Sequence, residues 1–464
     1  MSDASLELLM SGIILLAVFV GIRRRWRTRR APRLAQIGLW VAGINIGLLP
    51  LVAWTIDSDL FYKQAGFHSF SLYILFFSYL AGLWAISQIV TTSGGSVAQR
   101  NPFRVLAWQM PKVISFKSIS LLYIALIVSR LVDFFAFNAG MSGLGTLDVA
   151  LSKPYGYVII QQLIDVFKPL IFFWVFMNVT KAYSKQNAIM WFMIALEISY
   201  SLFFTGRSYF VVLLFMMLLC YFLRYGRLRL NILLPISLIF FLFWHFVSPA
   251  FLIFRAGYTE YADSGLKSAE LFNIGIQALE DRYESGREES DSNLASRLLG
   301  TSDYMRFLID RQRSIAPMNG QAIWGSLSLT IPRFLNPYKG LEHPEAHVVR
   351  HYSVIGADPS RTVFSTGLAD FGLVGGVLTG LFVGLLLWFG EAAAVRAHKF
   401  SALIGSAMFL QFFFLALSYE ASATSYFVSV RNVLVLFGLI YCMRIVNKAS
   451  RKRPAEVVYS PPHG

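Results

Sequence analysis

Basic side chains at the ends of apolar segments are the residues of this sequence best suited to bind an anionic substrate. Arg207 lies in a short Thr-Gly-Arg-Ser connection, where the glycine permits a close backbone approach. Arg333 and Lys339 lie in an Ile-Pro-Arg-Phe-Leu-Asn-Pro-Tyr-Lys segment, whose prolines restrict the backbone. Arg255 follows one apolar segment, and Arg361 precedes the next. Because a guanidinium matches two phosphate oxygens at once, this pattern predicts a phosphate-binding site. A snorkelling Arg207 or a solvated turn around Arg333 would leave the same pattern.

Three histidines could supply a general base. His343, His347 and His351 recur every four residues, so a helix beginning at Pro344 would place them on one face. A neutral imidazole can take a proton from a substrate hydroxyl, and histidines on one helix face can also bind a metal. No glutamate follows the first histidine as in the zinc-protease motif. We therefore expect a general base or a plain surface role, with no metal and no cofactor.

Charged residues also lie inside the apolar segments, where each needs a partner. Asp370 lies at the re-entry into an apolar segment, and we expect Arg361 or another arginine to pair with it. Two further pairs are spaced i, i+3, so each pair can be neutral on one helix face. Such charges can line a transport route or lock helices together, and we favour the locking role. The residues concerned are Arg130, Asp133, Asp165, Lys168 and Glu197.

The elements that must position these residues are membrane helices. Hydrophobic residues make up 56% of the 464 residues and charged residues 14%, with a mean hydropathy of +0.56. This composition excludes a soluble, a disordered and a disulfide-bonded protein, and both cysteines, Cys220 and Cys442, lie in apolar segments. The fold class is predicted to be an all-α polytopic membrane protein with about 11 transmembrane helices. The predicted spans are 5–22, 34–56, 70–91, 118–140, 157–179, 188–205, 208–224, 231–253, 367–389, 402–419 and 424–446.

The distribution of positive charge predicts the orientation of these spans. Of 41 Lys and Arg residues, 23 lie on alternate short connections, which is the positive-inside pattern of membrane proteins. The pattern places the N-terminus outside and the C-terminus inside a cytoplasmic membrane. It also explains the net charge of +15 without a nucleic-acid partner. The basic segments 23–33 and 444–453 can in addition contact anionic lipid.

One long hydrophilic segment, 255–365, follows eight spans in residues 1–254 and precedes three spans in residues 366–446 and a tail at 447–464. It contains 12 Lys and Arg and 14 Asp and Glu residues, so it carries none of the positive excess. Apolar residues recur at helical spacing around its first half, and prolines divide the rest. A loop of this length is commonly functional. We predict a partly helical, external cap over the membrane helices.

Four features in this order resemble the Wzy-type polymerases of bacterial surface polysaccharides, which are related to O-antigen ligases among the GT-C-type glycosyltransferases. They are the Thr-Gly-Arg-Ser connection, the long loop, its Ile-Pro-Arg-Phe-Leu-Asn-Pro-Tyr-Lys segment and the Asp-Phe-Gly-Leu-Val-Gly-Gly exit. The resemblance covers residues 190–390. It implies a polymerase of oligosaccharide repeat units in the bacterial inner membrane. Such an enzyme transfers a growing glycan from undecaprenyl diphosphate to the next lipid-linked repeat unit on the outer, periplasmic face.

The resemblance also implies partners and site residues. The expected partners are the undecaprenyl-diphosphate-linked oligosaccharide and membrane lipid, and the sequence leaves open whether a partner protein regulates chain length. Arg207 matches the family's arginine between short spans, Arg333 matches its Pro-Arg element, and Arg361 with Gly372 reproduces a spacing described for polymerases. The candidate catalytic residues are Arg207, Arg333, Arg361, His343, His347, His351 and Asp370, and the candidate substrate-binding residues are Arg207, Arg255, Arg333, Lys339 and Arg361.

Two other functions fit parts of the sequence. An O-antigen ligase has the same architecture, but Arg361 and Thr362 stand here where the ligases carry a His-Asn pair. A transporter of the lipid-linked sugar would use the charges inside the membrane, but internal repeats are not evident in the sequence. It would also have no need of the long loop. The polymerase is therefore the favoured prediction.

Overall fold

A computed structural model describes helices from both the apolar segments and the long loop. All regular secondary structure within the described residues is helical. The described residues are 3–27, 32–56, 58–64, 69–92, 114–138, 155–179, 185–200, 268–282, 299–331, 344–353, 362–418 and 421–451, with isolated positions between 213 and 253.

The described helices are numbered in chain order. They are α1 Asp3–Arg27, α2 Leu34–Ile56, α3 Ser58–Gln64, α4 Ser69–Thr92, α5 Phe116–Asn138, α6 Tyr155–Asn178, α7 Lys185–Tyr200, α8 Ser268–Arg282, α9 299–311, α10 Gln321–Thr330, α11 Pro344–His351, α12 Val363–Phe371, α13 Val374–His398, α14 Ala402–Leu417 and α15 Ala423–Arg451.

Four of these helices, α1, α2, α4 and α13, contain segments long and apolar enough to cross a membrane. Shorter apolar helical segments lie in α6, α14 and α15. The all-helical class is therefore confirmed for the described residues, and a membrane location is supported. The count of about 11 spans stays a prediction, because the predicted spans 208–224 and 231–253 lie almost entirely outside the described residues.

Helices α4 and α13 run in the same direction and pack backbone against backbone. A Cβ atom on Gly380 would lie 2.2 Å from the backbone oxygen of Tyr79, and one on Gly376 would lie 2.8 Å from that of Leu75. Only glycine allows helices to approach this closely, as at many helix contacts in membranes. This pair provides the rigid support against which the site helices pack.

Two ion pairs mark opposite ends of the helical bundle. At one end, Arg306 of α9 binds Glu7 of α1, and the backbone oxygen of Glu7 accepts the hydroxyl of Tyr73 of α4 at 3.0 Å. At the other end, Arg33 binds Glu391 of α13. Helix α9 therefore lies at the same end of the bundle as the first turns of α1 and α4. We call this end of the bundle the loop end. The end marked by Glu391 is the opposite end.

The predicted span 367–389 is not a single helix. Gly372 interrupts it with a φ of +62°, a backbone conformation that residues with side chains rarely adopt. Gly367 of α12 packs against Gly375 and Thr379 of α13, so α12 lies beside α13 and antiparallel to it. The prediction of one helix here is wrong because the chain reverses direction at Gly372.

Helix α12 reaches well into the bundle. The ring of Phe364, in its first turn, lies 5.5 Å from the ring of Phe76 and 4.8 Å from that of Tyr79. Because Tyr79 packs level with Gly380, the first turn of α12 lies roughly 12 Å from Gly372 along the axis of α13. Every residue of α12 except the last is buried.

Most of the described part of the long loop is helical, as its spacing predicts. Helices α8 and α9 confirm the periodicity within 266–283 and 294–308, and α9 buries Met305 and Leu308 completely. Helix α10 packs against α12 and α15, and the prediction of an external cap stays a prediction. Helix α10 of the long loop therefore packs within the bundle, in contact with α12.

Candidate functional site

The carboxylate of Asp370 joins two of these helices. Its oxygens accept the backbone N–H groups of Ala322 at 2.9 Å and Ile323 at 2.8 Å, both in the first turn of α10. The backbone N–H of Asn319 also donates to the backbone oxygen of Asp370, at 2.9 Å. A carboxylate suits this place because the first N–H groups of a helix have no partner within it. Asp370 therefore holds the N-terminus of α10 against the end of α12.

This environment differs from the arginine partner that we expected for Asp370. Within the described residues its carboxylate binds backbone amides, and Arg361 lies outside them. Asp370 is completely buried. The bonds to α10 account for a positioning role, and a catalytic role for Asp370 stays a prediction.

A second set of bonds attaches α9 and α11 to the same point. The side-chain amide of Gln312, just after α9, donates to the backbone oxygen of Leu368 at 2.6 Å and to the hydroxyl of Tyr352 at 3.2 Å. Tyr352, just after α11, donates to the backbone oxygen of Ala369 at 2.7 Å. Burial raises the pKa of Tyr352, so its hydroxyl stays protonated and donates. Helices α9 to α12 therefore converge on residues 368–370.

The predicted histidine helix is present. Helix α11 begins at Pro344, as expected, and carries His347 and His351 one turn apart. Nε2 of His351 lies 2.9 Å from the backbone oxygen of Ala316, to which it donates. His347 is half-buried and interacts electrostatically with Asp370. His343 lies outside the described residues.

Metal-binding side chains are not clustered among the described residues of this region. The described part of the chain contains no group of three His, Cys, Asp or Glu side chains that could hold a metal ion.

Arg431 of α15 is a cation that the sequence reasoning missed. Its guanidinium donates to the backbone oxygen of Thr330, the last residue of α10, at 3.2 Å and to the amide oxygen of Asn432 at 3.2 Å. No carboxylate among the described residues pairs with it. An arginine inside an apolar span was the available signal, because such a charge is costly and usually functional.

The inner ends of α10 and α12 both lie against α15. The N–H of Val363 donates to the backbone oxygen of Ala421 at 2.8 Å, just before α15 begins, and Arg431 binds Thr330 further along. Thr362 caps α12 by accepting the N–H of Ser365 at 2.9 Å. We call Thr330, Thr362 and Arg431 the inner-end site. Within it, Arg431 binds the negative, C-terminal end of α10, and the first N–H groups of α12 bind Ala421 and Thr362.

A separate charge cluster lies on α5, α6 and α7. Arg130 binds both carboxylate oxygens of Glu197, and Lys168 lies 3.3 Å from the same carboxylate. The guanidinium of Arg130 also lies 4.0 Å from the centre of the Tyr200 ring. Glu197 is completely buried. The cluster joins three helices, which supports the locking role that we favoured for these charges.

Several predicted site residues cannot be placed on this framework, because they lie outside the described residues. They are Arg207, Arg255, Arg333, Lys339, His343 and Arg361. The side chains of Asp133 and Asp165 also lie outside the described set. Of the predicted site residues, the structure brings together Asp370, His347 and His351 at the loop end.

A scan against protein-family models matched none of them, and searches of curated proteins and of solved structures found no significant match. The class that the structure itself defines is a helical protein whose described part includes four helices suited to crossing a membrane.

Proposed function

We propose that this chain polymerises lipid-linked oligosaccharide repeat units. It transfers the growing glycan from undecaprenyl diphosphate to the next lipid-linked repeat unit, at the outer face of a bacterial inner membrane. Two facts support the proposal. The first is the resemblance to Wzy-type polymerases in residues 190–390. The second is the inner-end site, where Arg431 binds only neutral oxygens within the described residues.

The proposed reaction requires positive charge beside its leaving group. The acceptor hydroxyl forms a bond to the anomeric carbon while the bond from that carbon to the diphosphate breaks. The electron pair of the broken bond stays on the diphosphate, so negative charge increases there. Arginine can stabilise this charge through two parallel hydrogen bonds. The proton of the acceptor hydroxyl passes to a base or to water.

The position of Arg431 supports its role as a diphosphate ligand. It lies beside the inner end of α10 and on the helix that follows Ala421, the partner of the α12 N-terminus. In the sequence, Arg333 follows Thr330 by three residues and Arg361 immediately precedes Thr362. The two helix ends therefore adjoin the two arginine-containing segments that the resemblance singles out.

The proposed base is a histidine of α11. His347 is half-buried and interacts with Asp370, whereas Nε2 of His351 is bound to the backbone oxygen of Ala316. Because the diphosphate is a good leaving group, the attacking acceptor hydroxyl needs at most one weak base. His347 is the better of the two described candidates, and its role as base is a prediction from the sequence, because both histidines lie at the loop end whereas Arg431 lies at the other end of α10.

Surface glycan from a strain lacking this chain, compared with the complemented strain on a gel, tests the proposal. A ladder that collapses to a single attached repeat unit supports a polymerase. Full-length polymer retained on its lipid carrier indicates a ligase instead, and repeat units held on the inner leaflet indicate a transporter. An unchanged ladder contradicts all three functions.

The same gel assay tests whether Arg207 binds the diphosphate, as we propose from the sequence. The variant Arg207→Lys keeps the charge but loses the bidentate geometry, so it should lose most of the polymer while the protein accumulates normally. Full polymer length in this variant would remove Arg207 from the mechanism.

A further inference from the structure

A cleft of about 690 Å³ opens between α1, α2 and α4, away from the inner-end site. Its volume lies within the range of roughly 300–1,000 Å³ that is usual for ligand pockets. Arg24 and Arg25 lie near the end of α1, Gln36 lies near the start of α2, and Gln88 lies near the end of α4. These polar residues belong to the opposite end of the bundle.

The rest of the cleft wall is mostly apolar. Ile14 and Val18 line it from α1, Leu39 lines it from α2, and Phe77 and Leu80 line it from α4. Along α1, the distance from the arginines to Ile14 corresponds to roughly 15 Å of helix. The cleft therefore has a cationic end near the end of the bundle and an apolar part that runs toward its middle. A lipid molecule in one leaflet has the same arrangement, with a polar headgroup at the membrane surface and acyl chains toward the centre of the bilayer.

Gln36 adds a polar side chain to the wall of the cleft. Its side chain is only 9% exposed, and its carbonyl oxygen accepts the backbone N–H of Arg33 at 3.1 Å. Gln36 lines the cleft, and its amide nitrogen carries two further donors. The amide and the two guanidinium groups are all donors, and they match an anionic oxygen ligand.

We propose that this cleft binds a membrane phospholipid with an anionic headgroup. Arg24, Arg25 and the amide nitrogen of Gln36 hold the headgroup phosphate, and the apolar wall holds an acyl chain. Charge complementarity selects an anionic lipid over a zwitterionic one, because each arginine near a membrane surface adds to the attraction. The site is independent of the proposed glycan transfer, since no residue of the inner-end site lines the cleft.

Lipid binding to the purified, full-length protein in detergent tests the proposal. Native mass spectrometry would count bound phosphatidylglycerol and, separately, phosphatidylcholine. We expect one phosphatidylglycerol molecule to bind about tenfold more tightly than phosphatidylcholine. The double variant Arg24→Gln/Arg25→Gln should lose roughly 30-fold in affinity for this lipid. Equal affinity for the two lipids would overturn the proposal.

A neighbouring arginine provides the matched control. Arg23 is exposed and does not line the cleft, so Arg23→Gln should change the affinity less than about twofold. An equal loss of lipid affinity in Arg23→Gln and in the double variant would mean diffuse attraction of the lipid to a basic surface. That result would overturn the proposal of a specific site. Excess glycerol 3-phosphate should not displace the lipid, because it lacks an acyl chain. Full displacement would mean a site for free phosphate instead.

Filling the cleft tests its apolar part separately. Gly21 lines the cleft, and a Cβ atom there would lie 3.5 Å from Nε1 of Trp40, which is an ordinary contact. The larger side chain of Gly21→Leu should therefore occupy the lipid site and abolish the first binding event. Ala81→Leu, at an exposed position of the wall, repeats the test should Gly21→Leu fail to fold. Unchanged lipid binding in a folded cleft-filling variant would contradict the proposal.

Discussion

Arg130 and Arg431 are two arginines in apolar helices with very different surroundings. Arg130 binds both oxygens of Glu197, with Lys168 beside them and the ring of Tyr200 at 4.0 Å. Arg431 binds the backbone oxygen of Thr330 and a neighbouring amide oxygen. Each guanidinium is half-buried. The described residues thus provide two cations that share a carboxylate in one place and a cation without a carboxylate in another.

This difference in bonding partners distinguishes a charge that holds helices together from a charge that can bind a substrate. A buried charge is tolerated when a carboxylate and hydrogen bonds compensate it, and removing one partner then destabilises the protein strongly. A cation that binds only neutral oxygens keeps its charge available for an anionic ligand. We therefore expect changes at the Arg130 cluster to affect folding and changes at Arg431 to affect activity. The following predictions test this division, beginning with the largest effect.

The largest expected effect belongs to Glu197→Gln. This change leaves Arg130 and Lys168 beside a neutral amide in a buried position. Breaking a buried pair in this way should cost about 3–5 kcal/mol, so the protein should melt much earlier in detergent or fail to accumulate. Thermal melting of the purified protein and its amount in membranes are the measurements.

A double variant sharpens this test. In Arg130→Gln/Glu197→Gln one cation is removed together with its partner, so part of the lost stability should return. A melting temperature of Glu197→Gln equal to that of the wild type would contradict the locking role of the cluster.

The next largest effect is expected for Arg431→Gln. The cation is lost but the helix is otherwise unchanged, so polymer formation should fall about 100-fold, as when one charge-stabilising donor is removed. Stability should change by about 1 kcal/mol, because one hydrogen bond to Thr330 is lost. Glycan transfer and thermal melting would be measured on the same preparation.

The exposed Arg396 at the end of α13 provides a control. Its change to Gln should preserve activity, because the side chain lies at the opposite end of the bundle. If Arg431→Gln transferred glycan at the wild-type rate but melted several degrees lower, Arg431 would belong with the structural charges.

The helices could be predicted from the sequence because their apolar segments are long. Helices α1, α2 and α4 begin and end within a few residues of the predicted spans, and Pro344 begins α11 as the histidine spacing requires. The helical periodicity of the loop was sufficient to predict α8 and α9. These features depend on neighbouring residues, and so they can be read from local patterns.

Other features depend on contacts between distant residues. Gly372 looks like one of several glycines in an apolar segment, and only the packing of Gly367 against Gly375 shows that the chain reverses there. The bond from Arg431 to Thr330 joins residues 101 positions apart in the chain. No local pattern predicts which end of which helix meets an arginine, so the inner-end site was not evident from the sequence.

A smaller effect is expected for Asp370→Asn, which tests the junction of α10 and α12. The amide keeps one oxygen acceptor but places an NH₂ group opposite the second backbone N–H of α10. Loss of one charge-assisted cap should cost about 1–2 kcal/mol, and α10 should become easier to cleave by protease. Activity should fall in parallel with protease protection. A variant that keeps full protection but loses all activity would show that Asp370 acts directly on the substrate.

The smallest effect concerns Asp303, which binds Arg306 at the loop end at 2.6 Å. Burial raises the pKa of Asp303 from 3.8 to about 6, although Arg306 acts in the opposite direction. The folded state therefore holds the proton more tightly than the unfolded chain does. The stability that this proton provides is fully present below pH 3.8 and is lost as the pH rises to about 6.

Because the Asp303 side chain is 30% exposed, we expect a loss of only about 1 kcal/mol over this range. Melting temperatures measured from pH 4 to pH 7 should therefore fall slightly for the wild type relative to Asp303→Asn, which cannot titrate. The comparison isolates Asp303 because Glu7 titrates in both proteins. If the wild type instead gained stability relative to Asp303→Asn as the pH rose, attraction to Arg306 would outweigh burial. Asp303 would then belong with Glu197 as a fully compensated carboxylate.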